Sequence, residues 1–129
     1  MKYVLFVCTG NTARSQMAEA FFNYYNKNPD YFGISAGTEP AKSINLIAVT
    51  VMKEKGIDIA KQQPKAITLQ MVQNSQRIYT MGCIKTCPIT PPEKTDDWDL
   101  EDPSGKPIEK FREVRDEIER RVKKLVLEL

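Results

Sequence analysis

Eight residues near the N-terminus, Cys8-Thr9-Gly10-Asn11-Thr12-Ala13-Arg14-Ser15, most constrain what this chain can fold into. They follow the apolar run Tyr3-Val4-Leu5-Phe6-Val7 and precede Gln16-Met17-Ala18-Glu19-Ala20-Phe21-Phe22, which reads as a helix. The order is strand, small-residue loop, helix. The first N–H groups of a helix have no intrahelical acceptor, so a loop entering one in this way gathers its amides into an anion cradle. The residues from Thr9 to Ser15 are the candidate cradle. The positive end of the helix, together with Arg14, favours the thiolate of a cysteine in that loop. One loop can thus hold an oxyanion and attack it.

The rest of the chain narrows the chemistry. It has 129 residues and no histidine, which removes histidine bases, histidine triads and histidine metal ligands. Nineteen Lys and Arg against seventeen Asp and Glu leave a net charge of +2, too little for the basic stripe that nucleic-acid binding needs. The apolar start is too short for a signal peptide, and no run approaches a membrane span, so a cytoplasmic protein is expected. Three cysteines in such a setting point away from a static disulfide framework and towards redox or metal chemistry. Their spacing is not that of a zinc ribbon or knuckle, so no metal and no cofactor are expected. Catalysis would then rest on thiol, carboxylate, arginine and backbone.

Taken in order, Lys2 to Val7 reads as a strand buried on both faces, and a helix runs from Arg14 to about Lys27, stopped by Asn28-Pro29-Asp30. Tyr31 to Ala36 is a second strand, ended by Gly37. Ser43 is the candidate N-cap of a second helix with Ile44, Ile47, Ala48, Val51 and Met52 at helical spacing, and Gly56 ends it. A short helical stretch spans Thr68 to Gln73. Gln76 to Met81 is a third strand, closing on Gly82-Cys83, and a proline-rich irregular stretch follows from Cys87 to Pro92. Trp98-Asp99-Leu100 reads as a fourth strand and Asp102-Pro103-Ser104-Gly105 as a turn. From about Pro107 a long amphipathic helix carries Ile108, Phe111, Val114, Ile118, Val122 and Leu125 on one face. Strands alternating with helices predict one α/β domain over residues 1–129, a three-layer fold with an open parallel four-stranded sheet and helices on both faces. Ligands of such sheets bind beyond the carboxyl ends of the strands, where Cys8, Cys83 and Asp102 would share one rim.

Within the loop, Gly10 allows a sharp turn and Arg14 can bind two oxygens of a tetrahedral anion. Ser15 can donate to the thiolate. Asn11 tolerates a left-handed backbone and can tie the loop together through its amide. Asp102, read by itself, is a turn-former.

The stretch from Cys8 to Glu19 resembles the anion-binding loop of the low-molecular-weight protein tyrosine phosphatase superfamily, and within it the thioredoxin-coupled arsenate reductases. The likeness extends through Ser35-Ala36-Gly37, Thr80-Met81-Gly82-Cys83, Trp98 to Lys106 and Phe111 to Ile118. It implies that Asp102 faces Cys8 as general acid. In phosphatases of this kind aromatic residues follow the Asp-Pro pair. Ser104-Gly105-Lys106 stands there instead, which favours a bare oxyanion, arsenate or phosphate, over an aryl phosphate. Arsenate reduction consumes two electrons. The resemblance implies a relay in which Cys8 attacks arsenic, Cys83 attacks Cys8, and Cys87 carries the disulfide to thioredoxin or a similar dithiol reductant. The reductases' cysteine directly after the strand is replaced here by Gly82, with the first cysteine one residue on. The resemblance also implies a monovalent-cation site built from counterparts of Asn11, Glu19 and Ser35 with a nearby carboxylate. Lys65 stands at that carboxylate's place, so either its ammonium substitutes for the cation beside Glu19, or it is a solvated lysine. A monomer is expected. The alternatives are a small tyrosine phosphatase using Cys8, Arg14 and Asp102 alone, and a non-catalytic oxyanion-binding or redox-sensing module.

Overall fold

The computed structural model describes residues 1–82 and 90–129. Four parallel strands form one sheet in the order β2-β1-β3-β4: β1 Lys2–Cys8, β2 Tyr31–Gly37, β3 Ser75–Thr80 and β4 Thr95–Asp97. Between them run α1 Arg14–Tyr25, α2 Leu46–Lys53 and α3 Leu69–Asn74, and α4 Ile108–Leu127 closes the chain. The central strand β1 is buried on both faces because its side chains alternate between two cores. Val4, Phe6 and Cys8 face a large core shared with α1, α2 and α4, while Leu5 and Val7 face a smaller one with Ile78, Ala36, Met71 and Val72. This is the expected three-layer α/β arrangement with helices on both faces.

The large core is dense in rings. Phe6 lies 5.8 Å from both Tyr79 and Trp98, which are 4.8 Å from one another, and Phe22 packs at 6.0 Å. Those contacts explain why the fourth strand is not where the apolar residues suggest. Trp98 is buried and Leu100 is 8 % exposed, but both point inward from a loop rather than alternating along a strand. The backbone N–H of Trp98 still reaches Thr80 O at 2.8 Å, and Asp99, at φ 48°, then turns the chain away. The strand itself is Thr95-Asp96-Asp97, an edge with no apolar signal.

Other boundaries move slightly. α1 stops at Tyr25, two residues early, where Asn26 closes it and accepts from Asn28 N–H with its own side chain. α2 is capped by Asn45, not Ser43. Asn45 Oδ1 accepts from Ile47 and Ala48 N–H at 2.8 and 3.3 Å. Ile44 lies before the helix and is buried. No helix among the described residues is long and apolar enough to cross a membrane.

Polar contacts bind α1 and α2 to α4. Arg115, 7 % exposed, donates to Val51 O and Glu54, and Tyr25 Oη donates to Glu119 Oε2 at 2.5 Å. That bond to a carboxylate, helped by partial burial, pushes the Tyr25 phenol up from 10.0 to about 12. A raised value means that folding favours the protonated phenol. The resulting stabilisation is intact below pH 10 and lost as pH climbs through about 12. A phenolate titration followed at 295 nm should lose its highest-pH component, near 12, in Tyr25→Phe, and the same substitution should flatten the loss of stability over that range.

Candidate active site

The loop from Cys8 to Ser15 follows β1 directly and runs into α1. Its backbone polarity can be followed carbonyl by carbonyl. Thr9 O accepts from Glu39 N–H (2.9 Å), Gly10 O from Ala41 N–H (3.1 Å), Asn11 O from the Gln16 side chain (3.0 Å), Thr12 O from Asn45 N–H (3.1 Å) and Ala13 O from Met17 N–H (2.8 Å). In a planar trans peptide the next N–H points opposite to its carbonyl. Five carbonyls held away from the loop's concave side therefore aim the N–H groups of residues 10–14 into it. Asn11 N–H is seen doing so, at 3.2 Å from Cys8 Sγ. Ala13, which precedes α1, offers no side-chain cap, so the first turn of the helix stays open on the same side.

Asn11 adopts φ 53°, the left-handed conformation the turn requires, and is fully buried. Its Nδ2 donates to Ser15 Oγ at 2.7 Å, and Ser15 Oγ stands 2.8 Å from Cys8 Sγ. Cys8 is 3 % exposed. Gly37, at the end of β2, lies against the loop so closely that a Cβ would stand 2.6 Å from Thr9 O and 3.0 Å from the Asn11 side chain.

Arg14 is buried at the floor of the rim. Its Nη1 donates to Met81 O, after β3, and to Leu100 O at 3.0 Å. Its Nη2 lies 3.8 Å from Asp102 Oδ2. One guanidinium thus joins the cysteine loop, the end of β3 and the Asp102 turn, and the Met81 and Leu100 carbonyls do not use its Nε–Nη2 edge, which has the geometry for a forked contact to two oxygens. Asp102 is exposed and also accepts from Ser104 N–H at 3.0 Å, so the turn-forming role and the position opposite the loop coexist.

Glu19 Oε1 accepts from Ser35 Oγ at 2.9 Å and lies 3.7 Å from Lys65 Nζ. Lys65 N–H also donates to Asn11 Oδ1 at 3.0 Å, which brings Asn11, Glu19, Ser35 and Lys65 together behind the loop. Cys83 and Cys87 lie outside the described residues. The residue before them is informative. Gly82 has φ 90°, and a Cβ there would stand 2.8 Å from Leu100 O, so a side chain at 82 is both strained and obstructed. That gives a physical reason for a glycine where the resemblance expects a cysteine. Among the described residues no cluster of three His, Cys, Asp or Glu could hold a metal.

Sequence reasoning passed over four residues here. Gln16, fully buried, binds Asn11; Gln62 binds Gln16; Asn45 joins α2 to the loop; and Asp97 accepts from Thr80 Oγ1 and Gly82 N–H at 2.7 and 3.0 Å. Two of them carry a signal in the sequence: Gln16 is a long polar side chain in the first turn of a helix, and Asn45 is a cap-forming residue two positions after Ser43.

A strand-end cysteine in an amide cradle, an arginine six residues on and an Asp-Pro turn across the rim define a class of α/β proteins that hold an oxyanion against a thiol. The chain belongs to the low molecular weight phosphotyrosine protein phosphatase family, whose sequence model matches residues 3–129. It is 41 % identical over 126 residues to an arsenate reductase of Brevibacillus brevis, covering 95 % of this chain and 92 % of that protein. Among solved structures it superposes on the low molecular weight protein tyrosine phosphatase of T. tengcongensis with a TM-score of 0.88 at 30 % identity, over 100 % of both chains. It also superposes on a thioredoxin-dependent arsenate reductase of Corynebacterium glutamicum, with a TM-score of 0.80 at 33 % identity, over 97 % of this chain and 60 % of that one.

Because Gly37 is packed so tightly on the loop, Gly37→Ala should displace it. Overpacking of this kind costs about 1–3 kcal/mol. We expect a lower melting temperature and at least about tenfold weaker binding of inorganic phosphate, measured by isothermal titration calorimetry.

Proposed function

We propose that the chain, acting as one domain over residues 1–129, reduces arsenate to arsenite. The observation that carries this reading is the Cys8 thiol in its amide cradle, with Arg14 and Asp102 across from it, in a chain that supplies two further cysteines just after β3. The arsenate reductases among its relatives support it. Arg14 and the N–H groups of residues 10–14 bind the oxyanion. Ser15 and Asn11 N–H hold the Cys8 sulfur. That sulfur attacks arsenic, and one arsenic–oxygen bond breaks as Asp102 supplies the proton, so that the oxygen leaves as water. The Cys83 thiolate then attacks Cys8 Sγ. The sulfur–arsenic bond breaks, its electron pair goes to arsenic, and arsenite leaves as a Cys8–Cys83 disulfide forms. Cys87 attacks Cys83, frees Cys8 and leaves a Cys83–Cys87 disulfide for a dithiol protein such as thioredoxin to reduce. The thioredoxin-dependent relative supports that last partner.

A second reading, hydrolysis of a phosphate monoester through a Cys8-phosphate, is favoured by the match to a tyrosine phosphatase over the full length of both chains. It uses Cys8, Arg14 and Asp102 and needs neither of the other cysteines. The two separate in one assay. With arsenate, thioredoxin, thioredoxin reductase and NADPH, wild type should consume NADPH, and Cys8→Ser, Cys83→Ser and Cys87→Ser should each lose more than about 99 % of turnover, as expected when residues act as one unit. Full activity in the last two variants would rule out the relay.

Lys65 is assigned as a tethered cation that takes the place of a monovalent ion beside Glu19. Turnover should therefore be the same in potassium and in sodium at equal ionic strength, whereas Lys65→Asp should create a several-fold potassium stimulation.

A further inference from the structure

Every amide orientation behind the loop is set by a backbone group, which can act in only one direction. Lys65 N–H can only donate, so the Asn11 side-chain atom it meets at 3.0 Å is Oδ1. Asn11 Nδ2 must then face Ser15 Oγ, 2.7 Å away, and donate to it. Asn11 O and Gln63 O can only accept, so the Gln16 atom between them, 3.0 Å from each, is Nε2, which also reaches Asn11 Oδ1 at 3.1 Å. Gln16 Oε1 consequently faces outward and accepts from Gln62 Nε2 at 2.6 Å. The same Nε2 reaches Gln16 O at 3.4 Å, another group that can only accept. Gln16 is fully buried and Gln62 half-buried at the outer end of the row.

We propose that Gln16 and Gln62 are positioning residues that brace a hydrogen-bond row running Gln62, Gln16, Asn11, Ser15, Cys8, whose backbone-set direction lets the Ser15 hydroxyl donate to the Cys8 sulfur. Ser15 Oγ accepts from Asn11 Nδ2, which leaves its own proton available to donate to a Cys8 thiolate at Sγ, 2.8 Å away. A donor there stabilises the thiolate, as does Asn11 N–H at 3.2 Å. Without Gln62, Gln16 Oε1 loses its donor, and its amide gains by turning towards solvent. Asn11 Oδ1 then keeps only the Lys65 N–H, and the left-handed turn that points Asn11 N–H at sulfur loses one of its ties.

The inference rests on Cys8 being the nucleophile but not on arsenate being the substrate, and its test needs no arsenate. In a Cys83→Ser/Cys87→Ser background Cys8 is the one thiol left. Its rate of carboxamidomethylation by iodoacetamide at pH 6 reports thiolate reactivity. Gln62→Met keeps side-chain length and removes the donor. It should slow that reaction by about tenfold, the effect of one charge-assisted hydrogen bond, and shift the Asn11 side-chain amide resonances in a 15N spectrum. Gln62→Ala should do the same, which guards against an effect peculiar to methionine at that site. A rate within twofold of the parent with unmoved Asn11 resonances would overturn the proposal, even if the melting temperature falls. A parent Cys8 no more reactive than a free cysteine would instead overturn the nucleophile assignment, and the inference with it.

Discussion

The site depends first on the direction in which five peptide groups point. From Thr9 to Ala13 each carbonyl is engaged on the outer side of the loop by Glu39, Ala41, Gln16, Asn45 or Met17. Peptide planarity then leaves the corresponding N–H groups no direction but inward. A single such bond contributes about 0.5–1.5 kcal/mol net, so no one of them holds the loop. Together they make any flip of one peptide cost both its own bond and the fit of its neighbours. The segment from Thr38 to Asn45 therefore helps to shape the proposed anion site, through its bonds to the Thr9, Gly10 and Thr12 carbonyls. It explains why Gly37 has no room for a side chain, and why α2 begins where Asn45 can both cap the helix and reach Thr12 O.

The same economy recurs at Arg14. A guanidinium buried to 7 % exposure must have its charge and its donors met. The Met81 and Leu100 carbonyls meet part of that need from two different loops. They also fix the plane of the group without using the edge nearest Asp102, where the proposed oxyanion would be held. Gly82 and Asp99, both at positive φ, allow the two loops to approach closely enough for this. The left-handed residues and the buried cation are in this sense one arrangement.

What was legible in the sequence was whatever local pattern encodes. The β1 run, the loop and the face of α4 each carry a periodic or compositional signature, and so the parallel sheet and the position of Cys8 could be read directly. Asn11 was legible because an asparagine between Gly and Thr in a turn has few other uses. The fourth strand was not legible. Its residues, Thr95-Asp96-Asp97, pair as an edge with one face in water, while the apolar Trp98 and Leu100 beside them fill the core from a loop. The bond between Gln16 and Gln62 was not legible either, since residues 46 apart leave no trace in spacing. Ser43 and Asn45 are equally good caps on paper, and it is the Thr12 carbonyl, far away in sequence, that decides between them.

In the proposed cycle the loop does nothing that distinguishes a reductase from a phosphatase. Both begin with a thiolate held by donors, a tetrahedral oxyanion gripped by amides and arginine, and a carboxyl placed to protonate the oxygen that leaves. They part at the second attack. Water attacking the central atom returns it at its original oxidation state; a thiolate attacking sulfur leaves the electron pair on the central atom. For phosphorus the second course would expel phosphite, a strongly uphill reduction, whereas arsenic(V) accepts the pair readily. A phosphate ester bound in this site would therefore have only the hydrolytic exit, whatever thiols stand nearby. Arsenate would have the reductive one as soon as a second thiol can reach Cys8. The determinant of reaction in that cycle then lies less in the cradle than in the chain that follows Gly82, two residues after β3, and the bonds that Thr80 and Gly82 donate to Asp97 fix the point from which that chain departs.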